Sequence, residues 1–156
     1  MKKAGSLFVT FTLISNHLLA SPLEVAPITP AQVDAISKAV RPKLANKKIA
    51  LALEQASATI TEFMKIESCI SGFNSTPLNQ FAAPGKTFHS FNYLGVMSSM
   101  KHHAKDACLT VSKIHGFEMP AKNALTFEVV FAADDSGETS KRHYTLEQRD
   151  DAWLFK

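Results

Sequence analysis

The chain of 156 residues carries six histidines, and two of them sit beside an acid: His102, His103 and Asp106. On a helix, His102 and Asp106 share one face at i, i+4 spacing. Two ligands placed that way hold a metal once a third arrives, with His89 or His115 as the donor at hand. A structural zinc site wants four good ligands, however, and Lys101 and Lys105 flank the group as they would on a solvated helix end. These residues are therefore read as surface side chains, with His102, His103 and Asp106 as the metal candidates to inspect and no metal or other cofactor expected. Nucleophilic chemistry has less to stand on, because no G-x-S-x-G motif occurs and every His, Ser and Asp combination is generic. For acid–base work the polar residues to inspect are Asp106, Glu128 and Tyr93. No residue is assigned a catalytic role.

Two cysteines, Cys69 and Cys108, offer the other reactive groups. An even count in an exported chain favours one disulfide. Closing a loop of about 40 residues is worth roughly 4 kcal/mol by the chain-entropy argument. The alternative is two buried thiols, since spacing alone does not show that the side chains meet. A redox role lacks both a C-x-x-C pair and cations beside either thiol. Aromatic residues gather between the cysteines, at Phe73, Phe81, Phe88, Phe91 and Tyr93. Exposed, Phe81, Phe88, Phe91 and Tyr93 would form a patch for a protein partner or an apolar small ligand. Buried, the same rings would plug the open end of a core.

Compartment and charge narrow the class. Lys2 and Lys3 precede a short apolar run ending at Ala20, the order of a secretory signal peptide (1–20) cut after Ala20. That run is interrupted by Asn16 and His17 and is too short to span a bilayer, which takes roughly 20 apolar residues. Without the two signal lysines, 15 basic residues face 14 acidic ones. Such balance leaves no electrostatic footprint for nucleic acid or for an anionic membrane surface. The expectation is a periplasmic or secreted protein with no stable membrane anchor after signal removal.

The elements that would position these groups follow from periodicity. After an extended leader (21–28) comes a single domain (29–156). Thr29-Pro30-Ala31-Gln32 is a helix start with a capping box, and Val33, Ile36 and Val40 recur at helical spacing until Arg41-Pro42. In a second, longer helix, Ile49, Leu53, Ala56, Ile60, Phe63 and Met64 form one stripe, with Glu67 as the exception to its apolar set and Gly72 as the stop. The segment 73–86 reads as a loop, and 87–107 as a loop leading into a short helix that includes Leu94, Met97 and Met100. From Cys108 onward, four short alternating runs form an antiparallel meander. Its strongest strand turns Leu125, Phe127, Val129 and Phe131 to one face and Glu128 to the other. Gly116 and Pro120 bracket a kink, Asp134-Asp135-Ser136-Gly137 is a hairpin turn, and Arg149-Asp150-Asp151 makes the next turn. The class is α+β, with N-terminal helices packed on a curved antiparallel sheet.

The ending, D-D-S-G-E before H-Y-T-L and then D-D-A-W-L-F, resembles the terminal hairpins of the nuclear transport factor 2-like superfamily, a cystatin-like α+β cone, in its uncharacterised bacterial secreted type. The resemblance runs in element order from Thr29 to Phe155. It implies a curved sheet wrapped over a long helix with a cavity between them. The superfamily holds isomerases that place an acid and hydrogen-bond donors in the cone, but also ligand carriers and assembly modules, so the fold leaves function open. No residue here matches a catalytic motif of that family. The expectation is a non-catalytic binding or adaptor domain for an unknown protein partner or apolar ligand, and a homodimer is possible. The alternative is a small isomerase- or cyclase-type enzyme using the sheet–helix cavity. A buried carboxylate or histidine in an open cavity would favour the enzyme.

Overall fold

A computed structural model describes residues 25–71, 74–89 and 92–156. The expected signal peptide, its cleavage point and the first half of the leader lie outside the described residues, as do Gly72, Phe73 and Phe91. Among the described residues, no helix is long and apolar enough to cross a membrane.

The first helix, α1, spans Pro30–Ala39 and begins as its sequence dictates. Thr29 Oγ1 accepts from the Gln32 backbone N–H at 3.2 Å, and Gln32 Oε1 accepts from the Thr29 N–H at 2.9 Å. This reciprocal pair satisfies two of the donors that a helix start leaves orphaned. The Gln32 amide also donates to the Cys108 carbonyl at 2.8 Å, so the cap ties α1 to the entry of the sheet.

Helix α2, Lys47–Glu67, is capped by Asn46, whose side chain accepts from Lys48 and Ile49 N–H. It buries Ala52, Leu53, Ala56, Ile60, Phe63, Met64 and Glu67, a stripe stepping by three and four. The helix stops at Glu67 and does not run on to the expected glycine. The Ser68 carbonyl accepts from Leu109 N–H at 2.8 Å, and Cys69 is bonded to Cys108, so the chain leaves the helix axis to meet the sheet.

The meander is complete. Strands β1 (Thr110–Ala121), β2 (Ala124–Ala132), β3 (Thr139–Arg149) and β4 (Ala152–Phe155) pair antiparallel in sequence order. Gly137 holds the β2–β3 turn at φ 73°, and Asp150 takes φ 52° in the β3–β4 turn, a conformation its short polar side chain tolerates. The expected kink near Gly116 is a set of bulges inside one continuous β1, with register shifts between His115 and Glu118 and between Glu118 and Ala121.

On the helix side, Leu125, Phe127, Val129 and Phe131 are buried against α1 and α2, as the alternation requires. Phe63 of α2 is the hub. Its ring stacks on Phe155 at 3.7 Å between centroids and meets Tyr144 at 5.5 Å, Phe88 at 5.6 Å and Phe81 at 5.9 Å. The described residues of the connecting segment, 74–89 and 92–107, are less regular than the rest. Short 3₁₀ turns occupy Thr76–Phe81 and Val96–Ser99. The helix expected to run on from Met100 is absent, because the Glu138 carboxylate takes the backbone N–H groups of Lys101 and His102 in place of preceding carbonyls.

The disulfide joins Cys69, two residues past α2, to Cys108, two residues before β1, across a separation of 39. Replacing both cysteines by alanine should lower unfolding free energy by about 4 kcal/mol, read from the urea midpoint. The same loss should follow reduction of the wild type.

Candidate functional site

Of the aromatic patch read from the sequence, Phe81, Phe88 and Tyr93 pack against the core. Phe88 is only 2% exposed, Phe81 is half-buried against Phe63, and Tyr93 packs edge-on to Phe88 at 4.8 Å. These rings close the end of the core. Phe88 is therefore corrected from a binding-patch residue to a core residue, because its ring packs against that of Phe63 and is removed from solvent. Phe91 lies outside the described residues.

The histidine cluster also disperses. Without a helix at 101–106, His102 and Asp106 share no face. His102 approaches Glu138 at 3.6 Å, and the His103 ring meets the Ala104 carbonyl and the Lys105 ammonium. The Asp106 carbonyl accepts from Ala26 N–H at 2.8 Å, tying down the leader. Among the described residues, no group of three or more His, Cys, Asp or Glu is arranged to hold a metal ion.

Two polar constellations form instead, one on each side of the sheet. The first centres on Glu67, the acid on the apolar stripe of α2, which is 0% exposed. Its Oε1 accepts from the Tyr93 hydroxyl at 2.9 Å, from Val96 N–H at 3.2 Å and from the Tyr144 hydroxyl at 3.4 Å. Its Oε2 is buried with no hydrogen-bond partner among the described residues. Arg142 stands close by, donating to the Gly95 carbonyl at 3.2 Å and lying 5.6 Å from the Tyr93 ring. Burial pushes the Glu67 carboxyl up to about 7, against the lowering effects of Tyr93, Arg142, Val96 and Tyr144. Burial likewise raises both phenols, with the nearby Glu67 charge adding to the effect. Below about pH 7 this is a neutral acid wedged among donors. Its signal in the sequence was an acid on a buried stripe, and what surrounds it was not legible there.

The second constellation lies on the opposite face of the sheet, where the alternation placed Glu128. Cross-strand register sets His115 of β1 and His143 of β3 on either side of it. His115 Nε2 is 2.9 Å from Glu128 Oε1, and His143 Nε2 is 3.0 Å from Oε2. Lys141 adds a third contact at 3.5 Å. This face is open, with the His143 side chain 82% and the Lys141 side chain 64% exposed. A groove of about 380 Å³ runs beside the row, lined also by Gly116, Glu118, Thr126, Phe127, Tyr144 and Thr145. The row can bind polar groups, since each imidazole keeps a second ring nitrogen for another partner.

Glu67 makes a pH signature. Below pH 4.5 its carboxyl is protonated whether the chain is folded or unfolded. Between there and about 7 the unfolded chain has released the proton and the folded one has not, so stability falls as pH rises. Above about 7 the effect levels off. The difference in unfolding free energy between wild type and Glu67→Gln, read from urea titrations, should therefore change across pH 4.5–7 by roughly 3 kcal/mol. A difference independent of pH would overturn this assignment. Comparison of the chain with protein-family models, with curated proteins and with solved structures finds no match.

Proposed function

We propose that this protein is an exported, non-catalytic binding domain that engages its partner through the uncovered sheet face, around the Glu128 row. The observation carrying this reading is the contrast between the two faces. On the helix side, Phe63, Phe127, Tyr144 and Phe155 pack ring on ring where a cavity would have to lie. On the other side, a groove opens beside imidazole and carboxylate groups. A partner seated there would be polar, meeting His115, His143 and Glu128 with hydrogen bonds and the flanking Lys141 with charge. The intramolecular disulfide fits an oxidising compartment, in keeping with the signal-like start of the chain. The element order supports the nuclear transport factor 2-like reading of the fold, which we keep as part of the proposal.

A second reading has one specific observation behind it. Glu67, held neutral beside two tyrosine hydroxyls and an arginine, is the kind of acid that small isomerases use. Its complete burial bars a substrate from reaching it in this conformation, which is why binding is preferred.

One experiment tests the binding reading. The disulfide-bonded domain, immobilised as wild type and as the Glu128→Ala/His143→Ala variant, is used to capture partners from the exported fraction. Binding through the outer face predicts a protein retained by wild type and reduced at least tenfold on the variant. Equal retention on both would remove the Glu128 row from the interface. Sedimentation of the pure domain adds the case in which the partner is a second copy.

A further inference from the structure

The outer face of the sheet is graded in charge along its strands. Register sets Lys113 of β1 and Lys141 of β3 on either side of Val130, and the next row sets His115 and His143 on either side of Glu128. One row further on, Glu118 of β1 stands opposite Thr126 and lines the groove. Glu128 is the enclosed member, its side chain 16% exposed, with one imidazole Nε2 on each oxygen at 2.9 and 3.0 Å and the Lys141 ammonium at 3.5 Å. An ionised carboxylate only accepts, so each facing ring nitrogen carries a hydrogen. That leaves Nδ1, on the other side of each ring, as the atom an incoming group meets. Among the described residues, no hydrogen bond reaches the Nδ1 of either histidine.

We propose that this row is a proton-gated site for the carboxylates of an acidic protein segment: protonated, His115 and His143 grip a carboxylate, and neutral, they release it. The proposal rests on the outer-face reading and names the chemistry of the partner. With Nε2–H committed to Glu128, a neutral ring offers only the Nδ1 lone pair, and two acceptors repel. A ring that takes a proton turns Nδ1 into a charged donor, which makes the stronger class of hydrogen bond to a carboxylate. Imidazoles change charge between pH 5 and 8, and here two of them do so on one face. Glu128 lies between the rings, so their positive charges do not meet bare. It also shows the contact that a partner would repeat, a carboxylate held by imidazole nitrogens. With neutral rings, Lys113 and Lys141 balance Glu118 and Glu128; protonation of both rings leaves two positive charges in excess. Glu118 sits at the far end of the groove, so that excess falls between the histidine row and the lysine row, where an acidic segment would settle.

The test uses the disulfide-bonded domain and a rhodamine-labelled hexaglutamate peptide, read by fluorescence anisotropy at constant ionic strength. The peptide is largely ionised at both pH 5.5 and pH 8, so a change in affinity between them reports the protein. Wild type should bind about tenfold more tightly at pH 5.5 than at pH 8. His115→Gln/His143→Gln should bind weakly and equally at both, whereas Lys141→Gln should bind more weakly at both and keep the ratio. At pH 8, long-range 1H–15N spectra should show Nε2–H on both rings. Equal affinity of wild type at the two pH values, a ratio that survives in the double histidine variant, or Nδ1–H on either ring would each overturn the gate. Absence of peptide binding at pH 5.5, whether or not inorganic sulfate binds, would overturn the acidic segment as occupant. Repeating the partner capture at both pH values keeps the two claims apart. A protein lost from Glu128→Ala/His143→Ala but held equally by wild type at both pH values leaves the outer-face interface standing and removes the gate. Equal capture on wild type and variant removes the interface, and with it the acidic segment.

Discussion

The crosslink between the end of α2 and the start of the sheet sets the geometry on which the other contacts depend. At that junction the Cys69–Cys108 bond and the hydrogen bond from Leu109 N–H to the Ser68 carbonyl act on adjacent residues. The Gln32 amide reaches the Cys108 carbonyl from α1, so both helices are referred to one point on the sheet. A domain of this size buries a modest core, and a covalent tie of about 4 kcal/mol is a large part of its stability. The same junction ends α2 at Glu67 and aims that side chain inward.

Placing a carboxyl in such a core is costly, and the surroundings show how the cost is contained. Three donors meet one oxygen and Arg142 lies nearby, yet the acid is held neutral well above its usual range because burial outweighs them. Polar groups on the outer face face no such penalty. Glu128 there sits between two imidazoles and a lysine within reach of water, where ion pairs add little to stability and remain free to exchange partners. Polarity that is structural and polarity that is available for binding thus occupy opposite faces of one sheet.

Much of the architecture was legible before any coordinates. Thr29 and Gln32 announced the start of α1, the alternation through Leu125–Phe131 named the buried face of β2, and Gly137 marked its turn. Each of these signals is local, resting on backbone preference or on a period of two or 3.6 residues. The segment 87–107 was misjudged where a local reading meets a distant partner. Its Lys101 and His102 amides are taken by Glu138 from the β2–β3 turn, and no pattern within the segment records that.

By itself, then, the chain's order of residues determined the class, the two helices, the four strands and which face each strand buries; it favoured the pairing of its two cysteines, and the structure joined them. It also marked Glu67 as an acid on an apolar stripe. Only the tertiary structure decided what that acid meets, that Phe88 and Tyr93 turn inward, and that His115 and His143 close on Glu128. Such contacts join residues on different elements, and their distances depend on register and packing angle. Periodicity fixes which way a side chain faces; it carries no information about what stands opposite.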